Sequence, residues 1–394
     1  MNTSLPSRIV LIVLLGAAPS GAEPRPAATS HGDKGFEFET DDGNFLLQIQ
    51  PRFQFRFTYP LSSDPIRLED LDAPPQTTLR LHRARLKVGG HAHRPWLKYY
   101  AEYELGSSNL LDFRVWITRL PEFQLKAGQW KAEFNRERII SSGSQQMVDR
   151  SIVNRPFTID RQQGFCLFGS LDGPGVADVS YWAAVLSGTG RGAAGNDDEQ
   201  PMWLLRAQWN AFGRLLDFSG SDVAFTDRPA GLVALAAVTN RSPYTRFSQD
   251  GGGQLPGFEE GAPGQYRVEQ GLAETALQYR GFSWQQELHG KRIRDRLNGT
   301  RTTLIGGYVQ AGYFVHHAAA WFPKPLEIAL RHAVYDPDTG VAEDLQQELS
   351  LACNWFFKGH LDKLTAEGTL FTFRDGAGGD KKEGRFRLQW DVSL

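Results

Sequence analysis

The segment Arg385–Leu394 reads RFRLQWDVSL, and its side chains alternate without exception between polar and apolar. In a β-strand successive side chains point to opposite faces, so the apolar residues from Phe386 to Leu394 share one face. This pattern is typical of the closing strand of a transmembrane barrel, whose outer face meets lipid and whose inner face meets water. Because an arginine on the lipid face near the midplane costs about 2 to 4 kcal/mol, we expect Arg385 and Arg387 to face inward.

A single strand of this kind is also typical of a secreted β-sandwich, so the recurrence of such strands along the chain has to distinguish the two folds. We identify 17 candidate strands, beginning at Phe45–Tyr59, and none has a helical period. A bacterial single-chain barrel needs an even number of strands, and 16 is the nearest number that fits. The doubtful segments are Phe165–Phe168, Val179–Ser187, Leu215–Phe225 and Gly231–Thr239. The predicted fold is an all-β, transmembrane antiparallel β-barrel of about 16 strands.

The N-terminus predicts export from the cytoplasm. Arg8 precedes the apolar run Ile9–Ala18, and small residues stand before a cleavage site after Ala22. We therefore predict a signal peptide at residues 1–22, a periplasmic lead-in without periodicity at residues 23–43, and the barrel at residues 44–394.

The composition agrees with a folded protein of the cell envelope. The 394 residues are 41% hydrophobic and 22% charged, with a formal net charge of −2, which excludes a disordered chain. No later stretch approaches the 18 or so apolar residues of a membrane-spanning helix. The predicted location is the outer membrane of a Gram-negative-type bacterium, with outer-membrane lipid as the surrounding partner.

One long segment breaks the rhythm of the strands. Residues 128–164 hold no sustained strand pattern and many charges. Loops of this length inside a compact fold are usually functional, so we expect this one to matter for function.

The order of local motifs resembles the phosphate-selective porin O and P family. The resemblance rests on these segments and residues: Gly128–Lys131, Phe134–Arg138, Ser141–Ser142, Val148–Asn154, Arg161, Gly164, Tyr181, Gly188, Tyr279–Ser283, Gly307–Tyr313, Glu327–Arg331, Asn354–Phe356 and Arg385–Leu394. It implies a sixteen-stranded barrel, commonly a homotrimer, whose third long loop folds into the lumen and narrows it. That loop is Lys131–Gln163 here. The chain departs from the family in ending at Leu394, where phenylalanine is usual, and in its slightly acidic net charge.

Charge placement indicates where solutes would pass. Between residues 44 and 162 there are 18 Lys and Arg against 12 Asp and Glu, which leaves 25 against 33 elsewhere. The predicted constriction and anion-binding residues are Lys131, Arg136, Arg138, Arg150, Arg155 and Arg161. The predicted pore-wall residues are Arg52, Arg56, Arg83, Arg85, Lys87, Lys98 and Arg114. Rings of Lys and Arg favour anions, and arginine offers bidentate hydrogen bonds to phosphate.

Three interpretations of these cations stay open. In the first they are structural, because they pair with nearby acids and hold the loop to the wall. They bias the pore towards small anions, or they form a phosphate or polyphosphate site. The acids Glu102, Glu104 and Asp112 on adjacent inner faces weigh against the last interpretation.

No catalytic or metal-binding constellation stands out. Ser141 and Ser142 lie near no recognisable histidine and acid pair. His316 and His317 are adjacent, and adjacent strand residues point to opposite faces, so we expect no shared metal. We predict no enzyme activity, no cofactor and no nucleic-acid partner.

The leading functional hypothesis is passive diffusion of small polar solutes, with a mild preference for anions or phosphate. The alternative is a secreted, soluble, β-rich protein that binds carbohydrate through some of its 10 tryptophans.

Overall fold

The computed structural model describes residues 28–173, 178–192, 196–248, 252–375 and 379–394. The predicted signal peptide, residues 1–22, lies outside the described residues. Within the described ranges, 18 strands form one sheet. No helix in this part of the chain is long and apolar enough to cross a lipid bilayer.

Sixteen strands close into an antiparallel barrel, as predicted. An N-terminal hairpin, β1 (Ala28–Gly32) and β2 (Gly35–Glu39), precedes it. The wall strands are β3 (Leu46–Tyr59), β4 (Thr78–Ala92), β5 (Arg94–Glu104), β6 (Asn109–Leu120), β7 (Phe123–Lys131), β8 (Arg161–Asp172), β9 (Asp178–Leu186), β10 (Met202–Asn210), β11 (Ala230–Ser242), β12 (Tyr266–Tyr279), β13 (Phe282–Asp295), β14 (Arg301–Phe314), β15 (Leu326–Asp336), β16 (Gln346–Lys358), β17 (Asp362–Asp375) and β18 (Gly379–Ser393).

The two ends of the wall meet at β3. The strand β18 pairs antiparallel with β3 from Phe386 opposite Tyr59 to Ser393 opposite Arg52. Below that point β2 takes over the edge of β3, with Phe36 opposite Ile49. We predicted a lead-in without periodicity at residues 23–43, but β1 and β2 form within it. In β2 Phe36 and Phe38 alternate with Glu37 and Glu39 over a run too short to stand out in the sequence, and β2 pairs with an edge of β3 that would otherwise leave backbone groups open.

The alternation of Arg385–Leu394 has the predicted register. Phe386, Leu388 and Trp390 expose 45%, 37% and 44% of their surface on the outside of the wall, whereas Arg387 and Asp391 are 3% and 0% exposed on the inside. The apolar face of the closing strand therefore points outward, as in a wall that faces lipid.

One predicted strand is wrong. Leu215–Phe225 belongs to the connection between β10 and β11, residues 211–229, and carries no strand. Its apolar side chains do not line a wall face, because Leu216 packs inward against Leu232 and Ala276 instead. The other 16 predicted strands all exist, including the doubtful ones at Phe165 and Gly231.

The connections define the two ends of the barrel. Long connections at residues 60–77, 132–160 and 243–265 lie at one end, and turns as short as 121–122 and 280–281 lie at the other. Barrels of this class have short periplasmic turns and long outer loops, so the second end is periplasmic. Residues 211–229 are a long exception at that periplasmic end.

Candidate functional site

The third outer connection folds into the lumen. We call residues 132–160 the inner loop; it includes the short helices α1 (Arg136–Ile139) and α2 (Asn154–Phe157). The predicted bounds, Lys131–Gln163, are slightly too wide, because β7 extends to Lys131 and β8 begins at Arg161. Most inner-loop side chains are buried within the barrel.

Four glutamates on one side of the wall hold the inner loop by its backbone. We call them the glutamate row, and each carboxylate accepts one backbone N–H: Glu274 from Arg136 (3.0 Å), Glu287 from Glu137 (2.6 Å), Glu348 from Ile152 (2.9 Å) and Glu367 from Val148 (2.8 Å). Two buried lysines donate to loop carbonyls on the same side, Lys291 to Pro156 (2.8 Å) and Lys363 to Gln145 (2.5 Å). The inner loop therefore lies against the β12–β17 side, and the open lumen follows β3–β8.

A periplasmic connection supports the inner loop from below. We call residues 211–229 the brace loop. Its Gly220 N–H donates to the Ser144 carbonyl (2.8 Å), and its Ser221 hydroxyl donates to Glu327 Oε2 on β15 (2.8 Å). The Arg136 guanidinium donates to the Ser219 carbonyl (3.2 Å) and also to that of Asp217. The inner loop is thus fixed both to the wall and to the brace loop.

Three cavities with shared lining residues follow one another beside the inner loop, and we call them together the passage. The outer cavity lies under the first outer loop and is lined by Asp64, Arg80, Arg155 and Arg246, among others. The central cavity, of about 430 Å³, lies between β4 and the inner loop. The periplasmic cavity, of about 830 Å³, follows, and Lys131 lines both it and the central cavity.

The central cavity is strongly basic. Among the described residues that line it, one is acidic, Glu104, and eight are basic: Arg80, Arg83, Arg85, Lys131, Arg138, Arg150, Arg161 and Arg191. The single carboxylate is neutralised, because Glu104 Oε2 accepts a hydrogen bond from Arg85 Nε (2.7 Å). The field in this space is therefore positive.

Most predicted site residues line the passage. The structure places eleven of the thirteen on it: Arg56, Arg83, Arg85, Lys87, Lys98, Arg114, Lys131, Arg138, Arg150, Arg155 and Arg161. Arg136 instead ties the inner loop to the brace loop. Arg52 is buried, pairs with Asp391 (2.8 Å) and donates to the Ser142 hydroxyl (3.0 Å). Both predictions of a pore-lining role, for Arg52 and Arg136, are corrected by these contacts.

Several of the lining arginines have a structural partner. Arg56 pairs with Asp149 (3.0 Å), Arg138 donates through Nε to Asp160 (2.8 Å), and Arg161 donates through Nε to Asp112 (3.2 Å). Arg85 lies between Glu102 (2.6 Å) and Glu104. Of these four, Arg56 joins the wall to the inner loop, whereas Arg85 and Arg161 pair with acids of the wall and Arg138 pairs within the loop.

Other lining cations have no carboxylate partner. In the described chain the ammonium groups of Lys98 and Lys131 make no hydrogen bond or ion pair, and Arg155 Nε has no partner. Arg150 donates only to carbonyls, those of Glu137 (2.9 Å), Arg138 (3.2 Å) and Ile140 (2.8 Å). Burial and the nearby Arg138 guanidinium lower the pKa of Arg150 to about 9, so its side chain remains cationic at neutral pH.

Two basic lining residues were missed because of a β-bulge. The register of β3 and β4 shifts between the pairs Gln54–Arg83 and Phe55–Leu81, so that β4 carries one extra residue there. Strict alternation would point Arg80 and His82 at lipid, but the bulge returns both to the lumen, where they line the central and outer cavities. A similar shift turns Leu111 inward, although strict alternation with Asp112 would place it on the lipid face.

The histidine pair is not arranged as predicted. β14 ends at Phe314, and His316 and His317 lie in the 3-10 turn that follows it, with ring centroids 3.6 Å apart. The prediction of opposite faces is wrong because the strand has already ended. Within the described ranges, no group of three or more His, Cys, Asp or Glu side chains is arranged to hold a metal ion.

Comparison with known proteins decides the class. Residues 262–366 match the family described as phosphate-selective porin O and P. The chain is a porin of the outer membrane. The matched part holds four of the segments on which the resemblance rested, including Gly307–Tyr313 and Asn354–Phe356. No curated protein sequence matches this porin significantly.

Solved structures share the barrel. The outer-membrane channel DcaP of Acinetobacter baumannii superposes with a TM-score of 0.56 at 11% identity, over 91% of this chain and 99% of that one. An anion-selective porin from Comamonas acidovorans gives 0.54 at 10% identity, over 88% and 99%. A loop-deletion variant of OmpT from Vibrio cholerae gives 0.55 at 8%, over 89% and 100%. At these identities the likeness establishes the porin fold, and the alternative of a soluble carbohydrate-binding protein finds no support.

Proposed function

We propose that this porin lets small polar solutes diffuse passively through the outer membrane and prefers anions. The observation that carries the proposal is the central cavity, in which eight basic side chains face one paired carboxylate. A constriction lined by cations in a low-dielectric wall attracts anions and repels cations. No covalent step is needed, so we propose a channel without catalytic activity.

The acidic net charge of the chain does not oppose this preference. Much of the excess acid of the second half belongs to the glutamate row, whose carboxylates accept loop N–H groups on the far side of the lumen. Glu274 and Glu348 are further neutralised by Arg206 (2.8 Å) and Arg331 (2.5 Å). The electric field along the passage therefore depends on the residues that line it and not on the net charge of the chain.

The reversal potential in a KCl gradient across a planar bilayer tests the proposal. The sign of the potential should correspond to a chloride permeability above that of potassium. A potential of the opposite sign, showing cation preference, would refute it. The porin from Comamonas acidovorans, described as anion-selective, is a suitable positive control.

Phosphate is a specific candidate within the anion class. Arg83, Arg138 and Arg150 converge on the central cavity, and guanidinium groups bind phosphate oxygens bidentately. Inorganic phosphate added to the KCl solution should then block the chloride current at lower concentration than sulfate does. Equal block by the two anions would favour a general anion channel.

We infer a homotrimer from the family resemblance and from the height of the wall. The strands β7, β9 and β10 have 9 residues each, whereas β3 and β17 have 14. With a rise of about 3.3 Å and a tilt of about 40°, nine residues span about 23 Å, less than the apolar band of about 25 Å. A low wall suits contact with a partner copy, and native mass spectrometry in detergent should give three chains; monomers alone would contradict the inference.

The N-terminal processing is also a proposal. We propose that residues 1–22 are removed on export and that residues 23–43 remain at the periplasmic side. Sequencing of the mature N-terminus should begin at Glu23. An intact Met1 in the outer-membrane fraction would contradict it.

A further inference from the structure

The periplasmic cavity contains an aromatic and cationic patch that the anion-selective constriction does not use. On β5 and β6, Tyr100 lies opposite Arg114 and Lys98 lies opposite Trp116. All four side chains line the cavity. We call them the vestibule patch. Cations and rings therefore alternate across two neighbouring strands, below the level of Lys131.

Arg114 is the centre of the vestibule patch. Its guanidinium carbon lies 4.9 Å from the centroid of the Tyr100 ring and 5.1 Å from that of the Trp116 ring. Nevertheless Nε of Arg114 is buried without a hydrogen-bond partner. A buried donor of a charged group is costly to leave unpaired, so an acceptor supplied by a ligand would be favourable here.

The carboxylates of the same cavity already have partners. Glu102 accepts from Arg85 (2.6 Å) and from the hydroxyl of Tyr100, a member of the patch (3.0 Å), and Asp112 accepts from Arg161 (3.2 Å). Glu133 pairs with Lys126. Among the described residues, no acid forms an ion pair with Lys98 or Arg114. The two cations of the patch therefore have no direct counter-ion.

Glycines keep space open around the patch. Gly89 stands opposite Tyr100 on β4, and Gly128 stands opposite Arg114 on β7. A Cβ at Gly89 would lie 3.2 Å from Cδ2 of Tyr100. Gly128 has φ +125°, and a Cβ there would lie 2.1 Å from the Phe113 carbonyl oxygen. A side chain at Gly89 would therefore press on the Tyr100 ring, and Gly128 lets β7 lie close to the backbone of β6.

We propose that the vestibule patch is a binding site for small aromatic carboxylates. The ligand carboxylate bonds to Arg114 and Lys98, and its ring packs against Trp116 and Tyr100. Phosphate matches the cations but offers no apolar face for the rings, so this site differs in chemistry from the central cavity. The inference rests on the proposed function in one respect, since anions must reach the periplasmic cavity through the passage.

Single-channel recording with benzoate as probe tests the site, and acetate is the matched control with equal charge and no ring. Benzoate should interrupt the chloride current at a concentration at least about tenfold lower than acetate. Trp116→Leu should raise the apparent Kd of benzoate at least about fivefold and leave that of acetate unchanged. Arg114→Gln should weaken both. Trp203→Leu, on the outward face of β10 with 54% exposure, is the matched tryptophan control and should change neither.

Two further measurements keep the outcomes distinct. Heat-modifiable gel mobility shows whether each variant is folded, and Tyr100→Leu gives a second removal of an aromatic face. Equal block by benzoate and acetate, or benzoate block that survives both Trp116→Leu and Tyr100→Leu, overturns the site. The reversal potential in KCl on the same channels reports the anion preference separately, so that loss of the site and loss of the proposed function are told apart.

Discussion

Lys131 is the residue at which the central and periplasmic cavities meet. Lys131 is the last residue of β7, and its ammonium has no hydrogen bond or ion pair in the described chain. A solute that passes from one cavity to the other must come near this charge. Lys131 is therefore the side chain whose charge should most affect the ion selectivity of the channel.

Lys131→Glu should reverse the preference of the channel. At an effective dielectric constant of about 40 and a distance of about 6 Å, one charge contributes about 1.4 kcal/mol, which is about tenfold in local anion occupancy. Salt screening reduces this, so we expect the chloride-to-potassium permeability ratio to fall at least about fivefold. Reversal potentials measure it. Lys324→Glu, an exposed position in the β14–β15 connection, makes the same charge change outside the passage and should leave the ratio unaltered.

The contact of Asp149 with Arg56 should be insensitive to pH over the neutral range. Burial would raise the pKa of this carboxyl, but the guanidinium groups of Arg56 and Arg83 outweigh it and hold the pKa well below the ordinary 3.8. A depressed carboxyl contributes its stability fully above the unfolded pKa and loses it as the pH falls through the folded value. Loss of this contact should therefore add noise to the open-channel current only at pH values below the ordinary 3.8.

Asp149→Asn is the matching variant. It removes the charge partner of Arg56 without a large change in shape, so the noise should appear at neutral pH as well. A variant as quiet as the parent at pH 7 would show that the Asp149 pair does not hold the loop.

The glutamate row is the element that positions the inner loop. Its members come from β12, β13, β16 and β17, and each accepts a backbone N–H of the loop. Glu287 also accepts from the Asn135 side chain (3.1 Å). The loop position therefore depends on backbone contacts in addition to the loop's own side chains. The contacts of the glutamate row and the cations that face the solute therefore lie on opposite sides of the inner loop.

Glu367→Ala should loosen the inner loop. The lost bond from Val148 N–H is charge-assisted and contributes about 1.5 to 3 kcal/mol. We expect more frequent sub-conductance transitions in single-channel records, with the barrel still folded. Glu260→Ala, an exposed position in the β11–β12 connection, is the control. Identical gating of the two variants would count against the role of the row.

The brace loop should limit the width of the pore. A Cβ at Gly220 would lie 2.7 Å from the Gln146 backbone nitrogen and 3.0 Å from the Ser144 carbonyl oxygen. Gly220→Val must therefore push the brace loop and the inner loop apart, and we expect the conductance to rise by about half or more. Gly271→Val, where a Cβ meets nothing within 4 Å, is the matched control. An unchanged conductance in Gly220→Val would show that the brace loop does not limit the pore.

At the scale of the whole molecule, the lipid-facing band carries the stability of the fold in the membrane. Leu388 is 37% exposed on the outside of β18, and the neighbouring Arg387 is buried inside. Leu388→Arg should cost about 2 to 4 kcal/mol, which lowers the folding equilibrium constant about 30- to 1000-fold. Denaturant titration in lipid vesicles, followed by heat-modifiable mobility, measures it. Leu388→Ala should cost much less, and an equal loss in both variants would contradict a lipid-facing position.

The sequence by itself determined the barrel, its 16 strands and the inward register of the arginines. It could do so because strand alternation is a local property of the sequence. With lipid outside the barrel and water inside it, a strand shifted by one residue would turn its polar side chains to lipid, which is costly. The break in that rhythm, residues 128–164, also located the inner loop to within four residues at each end. Six of the seven predicted pore-wall cations line the passage because strand alternation placed them on the inner face.

Only the tertiary structure decided which of those cations are neutralised. Arg56 bonds to Asp149 and Val148 bonds to Glu367, although the partners are 93 and 219 residues apart in the sequence. A local sequence pattern cannot predict such pairs. The inward position of Arg80 depends on a single extra residue in β4. The brace loop has the alternating sequence of a strand but contains no strand and folds into the lumen. Local alternation fixes which face a side chain takes, but the field in the passage depends on partners that only closure of the barrel brings together.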